Sequence, residues 1–70
     1  MTTYVVETYS RGPFRNYEAF ELKEARRKAA WLSKRSEDLV SYVVAVEDGE
    51  YVGHMVYGEG RLLRVEGRGF

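Results

Sequence analysis

Asp48-Gly49 constrains this chain more than any other pair of residues. It stands between two runs of alternating character, 40–47 (VSYVVAVE) and 50–57 (EYVGHMVY). An Asp-Gly pair in that setting favours a type I′ turn, which needs φ > 0 at both central positions. A two-residue loop then fixes the register: Val46 opposite Tyr51, Val44 opposite Gly53, Tyr42 opposite Met55 and Val40 opposite Tyr57. That face carries no charged residue and is assigned to the core, with Gly53 marking the closest approach of a covering helix. The reverse face holds Ser41, Val43, Ala45, Glu47, Glu50, Val52, His54 and Val56. It is polar at the turn end and apolar further along.

The cover is residues 22–35, the one long stretch of helical periodicity. At about 100° per residue, Leu22, Ala25, Ala29 and Leu32 fall within about 80° of one another, the spacing of a buried stripe. The two alanines let the helix axis come close to a sheet. Glu21 and Glu24 at the start, with Lys34 and Arg35 at the end, agree with the helix dipole. No Ser, Thr or Asp stands at the expected N-cap; if Asn16 were the cap, the helix would begin at Tyr17. Trp31 projects about 130° from the centre of the stripe, among Lys23, Arg27, Lys28, Lys34 and Arg35. One reading folds the indole over the sheet edge or onto Phe20 to close a small core. The other makes it an aromatic anchor in a basic ring, a composition favoured at recognition surfaces.

Residues 3–9 (TYVVETY) read as a strand, and 10–13 as a turn. Residues 14–20 read as a second strand, or as part of a longer helix that would leave a βαββ core. Residues 58–60 make a further turn, 61–66 a last short strand, and 67–70 a mobile tail. The expected fold is α+β: a single domain with one antiparallel sheet, in the order β-β-α-β-β-β, covered on one face by a single helix. The uncovered face would then group Val5, Val43, Ala45, Val52 and Val56 into an apolar patch through which a homodimer could form.

Seventy residues without cysteine bury a thin core and hold no disulfide or thiolate metal site. A single histidine, His54, gives poor support to a multi-histidine zinc site or a Ser-His-Asp arrangement. Glu47, Asp48 and Glu50 form a solvated acidic turn rather than an acid–base pair. Neither Gly58-x-Gly60 nor Gly67-x-Gly69 precedes a helix, so neither is a phosphate loop. The expectation is no enzyme, no cofactor and no metal. Apolar runs are too short to span a bilayer and the N-terminus lacks a signal pattern, so a cytoplasmic protein is expected. Net charge is zero but segregated: +5 over residues 23–35, −6 over 36–60 and +2 over 61–70. Such a chain presents either a dipolar surface that steers a charged partner or ordinary solvated charge.

The run Tyr17-Glu18-Ala19-Phe20, then Lys23-Glu24-Ala25 with Ala29 and Leu32, resembles a pattern found in very small phage-encoded αβ proteins. The stretch 42–53 (YVVAVEDGEYVG) resembles their Tyr/Val hairpin closed by Asp-Gly. Leu22 departs from that pattern, which begins the helix with Ser or Thr. The resemblance implies an anti-CRISPR or other host-takeover inhibitor that occludes a host surface. Together these readings make the expected function protein binding through Trp31, Arg27, Lys34 and Arg35, with Lys23 and Lys28 as rim. A nucleic-acid-binding module using the basic helix with Arg61, Arg64 and Arg68 is the second expectation, disfavoured by net neutrality. A homodimer joined through the open sheet is the third.

Overall fold

The computed structural model describes residues 1–9, 15–19, 21–35 and 40–70. Five strands and one helix follow in the order β1 (Thr2–Tyr9), β2 (Arg15–Ala19), α1 (Leu22–Ser33), β3 (Val40–Glu47), β4 (Glu50–Gly58) and β5 (Arg61–Gly67). The strands form one antiparallel sheet in the order β2-β1-β3-β4-β5, and α1 packs on one of its faces. This is the α+β class expected from the sequence. Asn16 lies in β2, so the strand reading of this segment holds and the longer helix does not. Among the described residues, Asp48-Gly49 and Glu59-Gly60 form turns with φ > 0 at both central positions. The turn expected at 10–13, and Phe14 and Phe20, lie outside the described residues, as does Ser36-Glu37-Asp38.

The hairpin register holds at the turn and then changes. Val46 opposes Tyr51 as expected, but the next pair is Ala45 with Gly53, leaving Val52 as an extra residue in β4. Beyond this bulge His54 faces Val44, Met55 faces Val43, Val56 faces Tyr42 and Tyr57 faces Ser41. One inserted residue exchanges the faces of all that follow it. Met55 and Tyr57 remain beneath the helix, but they now share that face with Ser41, Val43 and Ala45 of β3. The assignment of Val40, Tyr42, Val44 and Val46 to the core is therefore reversed: they lie on the open face.

Size accounts for the choice. Val43 and Ala45 on the covered face are small, as are Ala25 and Ala29 of α1, and all four are fully buried. Helix and sheet thus approach closely over β1 and β3. The larger Tyr4, Tyr17, Met55 and Tyr57 fill the flanks beside Val6, Leu32 and Leu22. The expected inward stripe of Leu22, Ala25, Ala29 and Leu32 is borne out. Ser33 is also buried, and it ties the helix end to the sheet. Its hydroxyl donates to the Ala30 carbonyl (2.9 Å) and accepts from the Gly60 N–H in the β4–β5 turn (2.8 Å). The regular helix stops at Ser33, with Lys34 as C-cap, so Lys34 and Arg35 follow the last turn rather than belonging to it.

Twelve helical residues span only about 18 Å, whereas a nine-residue strand runs about 30 Å. The hairpin end of the covered face is closed by the C-terminal residues instead. Residues 67–70, expected as a mobile tail, make defined contacts. Arg68 N–H donates to the Val52 carbonyl (3.0 Å), carrying the β4–β5 register one pair past Gly53 with Gly67, and the Tyr4 hydroxyl donates to the Gly69 carbonyl (2.5 Å). Arg68 Nη1 reaches Glu47 (2.7 Å), and the Phe70 ring lies 6.1 Å from that of Tyr4. Gly53 permits this crossing, since a β-carbon there would stand 2.4 Å from the Arg68 carbonyl oxygen. The close approach inferred for Gly53 exists, but to the C-terminal backbone and not to the helix.

The buried serines make opposite predictions. Ser33→Ala leaves the Gly60 N–H without its acceptor and should destabilise the chain by about 1–2 kcal/mol. Ser41 Oγ is buried without a hydrogen-bond partner among the described residues, so Ser41→Ala should stabilise by about 1 kcal/mol. Urea unfolding of the two variants checks the signs.

Candidate functional site

The outward surface of α1 follows from its inward one. With Ala25 and Ala29 fixed against the sheet, a rotation of about 100° per residue aims positions 24, 27, 28 and 31 away from it. Trp31 is 58% exposed. It lines a shallow surface depression together with Glu24, Arg27 and Lys28. The Arg35 guanidinium lies over the indole, 5.1 Å from the ring centroid, so the aromatic face already holds a cation of its own chain. Lys28 leans the other way, with Nζ 4.6 Å from the Tyr17 ring of β2.

Not every predicted contact residue joins this cluster equally. Trp31, Arg27, Lys28 and Arg35 gather around the depression. Lys34 sits at the helix end with its stem against Gly60, where an added β-carbon would meet Lys34 Cγ at 2.6 Å. Lys23 is exposed in the first turn, on the flank shared with Arg26. Arg26 itself is drawn to the sheet, where its Nε donates to the Tyr57 hydroxyl (2.9 Å). Glu24 is the member the sequence reading left out, although its spacing of seven residues from Trp31 signals the shared face. It gives an otherwise cationic patch one carboxylate.

The remaining candidates are distributed elsewhere. Of the four valines and one alanine proposed as an open-face patch, Val43 and Ala45 are fully buried on the covered face. Val52, displaced by the bulge, turns to the same side, where an added Gly69 β-carbon would meet both Ala45 and Val52. Only Val5 and Val56 lie on the open face, with Tyr42, Val44, Val46 and His54 between and beside them. Val56 is only 8% exposed, shielded by its neighbours. His54 is half-buried there: Nε2 stands 3.1 Å from Glu66, and Nδ1 is hydrogen-bonded with the Tyr51 hydroxyl.

The described basic residues do not form one surface. Register puts Arg61 and Arg64 on the open face, opposite α1, and Arg64 is 3.4 Å from Glu66. Arg68 is engaged with Glu47. A nucleic acid could not meet the helix and these arginines without wrapping round the sheet. Among the described residues no group of three or more His, Asp or Glu side chains is placed to hold a metal ion. No described helix is long and apolar enough to cross a membrane. No family model, curated protein or solved structure matches the chain, so the resemblance to small phage-encoded proteins rests on residue pattern alone.

The exposure of Trp31, the sole tryptophan, is directly measurable. Its fluorescence in the folded chain should be red-shifted and readily quenched by acrylamide. Trp31→Ala, removing a surface side chain from a helix, should change unfolding free energy by no more than about 0.5 kcal/mol. A loss of several kcal/mol would return the indole to the core.

Proposed function

We propose that the chain is a non-enzymatic protein-binding module that docks through the outward face of α1 around Trp31. The observation carrying this reading is a large aromatic side chain, 58% exposed at the centre of a helix face. It is flanked by Arg27, Lys28 and Arg35, and no described element of the fold covers it. Tryptophan and arginine are enriched among the few residues that carry most of the energy of protein interfaces. The complementary partner presents an apolar notch for the indole, rimmed by carboxylates for Arg27 and Lys28. Arg35 stays stacked on the ring and stiffens it before contact, which lowers the entropy lost on binding. The mode of action implied by the sequence resemblance is occlusion of a host protein or nucleoprotein surface.

The test compares tagged wild type with the Trp31→Ala/Arg27→Ala double variant in affinity capture from native host lysate, read by mass spectrometry. Wild type should retain one specific protein that the variant loses, while circular dichroism of the two coincides. Equal retention by both would remove the helix face from the function. In parallel, wild type should show no salt-steep shift of nucleic acid on a gel.

A further inference from the structure

Strand β5 differs from the other four: it contains no buried or half-buried residue from Arg61 to Gly67. It closes one side of the sheet, so its outer edge offers unpaired N–H and C=O groups. It also displays Leu62, Leu63 and Val65 at 41%, 62% and 47% exposure, the densest group of exposed apolar side chains in the described fold. Arginines and a bulge on an edge strand ordinarily discourage strand addition. Here both features fit a particular partner, a second copy of the same strand.

Two β5 strands related by a two-fold axis perpendicular to the sheet run antiparallel. Placing the axis between Leu63 and Arg64 sets Arg61 against Glu66 of the second copy and Leu62 against Val65 of the second copy. In an unbroken strand this register would oppose residues from different faces, because faces alternate. The extra residue in β5 removes that conflict. Register with β4 skips Leu63, so Arg61, Arg64 and Glu66 share the open face while Leu62 and Val65 share the helix side. Leu63 also lies on the open side, where an added Gly58 β-carbon would meet its Cδ1 at 2.8 Å. It then packs on the aliphatic stem of Arg64 of the second copy. Arg61 makes no ion pair among the described residues, and Glu66, held by His54 and Arg64, still has lone pairs to accept from a second guanidinium.

We propose that β5 pairs with β5 of a second copy in this register, joining two five-stranded sheets into one continuous antiparallel sheet. Each interface carries the Arg61–Glu66 and Leu62–Val65 pairs twice. Two-fold symmetry leaves the Trp31 faces of both copies free and on the same side of the joined sheet, so the pairing is independent of the helix-face function.

Sedimentation equilibrium of the full chain across a dilution series should show a reversible monomer–dimer equilibrium. Arg61→Glu sets like charges across the seam twice and should weaken association about tenfold. Adding Glu66→Arg exchanges the two charges and should restore it to within about threefold of wild type. Amide hydrogen exchange of the unaltered chain decides the matter even if a variant fails to fold: β5 amides should gain protection at high concentration. The proposal is overturned by a monomer at every concentration, by a dimer indifferent to Arg61→Glu, or by a charge-exchanged variant no stronger than the single one. Unchanged β5 exchange on concentration overturns it equally.

Discussion

A single extra residue in β4 decides how this molecule is layered. Because Val52 has no opposite number in β3, every later pair in the hairpin shifts by one, and the side of β3 that meets the helix is the one with small side chains. On its other side β4 keeps its register with β5: the Arg68 N–H donates to the Val52 carbonyl, one pair beyond Gly53 with Gly67. The bulge thus sets the composition of the core, while the β4–β5 ladder seats the C-terminal residues.

Coverage of the sheet is divided accordingly. The short helix lies over β1 and β3 and holds on at its end through Ser33 and Gly60. The C-terminal backbone closes the hairpin end over Ala45 and Gly53, and β5 is left without cover. A thin core of this kind has little apolar area to spare. The uncovered apolar side chains at Trp31 and along β5 are thus unlike scattered surface leucines, since each could have been polar without loss to the core. That is the physical reason for reading them as contact surfaces.

Much of the fold could be read from local chemistry. Asp48-Gly49 encodes a turn with both φ values positive, and it does form, with 52° and 84°. The first pair beyond it followed too. Helical periodicity alone separated Ala25 and Ala29 from Trp31, because three-dimensional context cannot rotate one side of a helix independently of the other. The strand faces could not be read so safely. Val40, Tyr42, Val44 and Val46 form the more apolar set, and hydrophobicity alone assigns them inward. Their true placement depends on an inserted residue whose one visible trace is Gly53, a glycine inside a strand. The tail misled for a related reason: its glycines serve close packing, Gly67 against the backbone of Val52 and Gly53, and Gly69 against the side chains of Ala45 and Val52. At the candidate site Trp31, Arg27, Lys28 and Arg35 were legible from spacing. The anchoring of Arg26 by Tyr57 was not, since it depends on a strand 31 residues away.

Cross-strand nuclear Overhauser contacts within the β3–β4 hairpin test this account at its root. The bulged register predicts main-chain proximity of Val43 with Met55, and of Ala45 with Gly53. Proximity of Tyr42 with Met55 and of Val44 with Gly53 would mean an unbroken ladder. In that case Val43 and Ala45 would face solvent, and the layering of helix on sheet would be inverted.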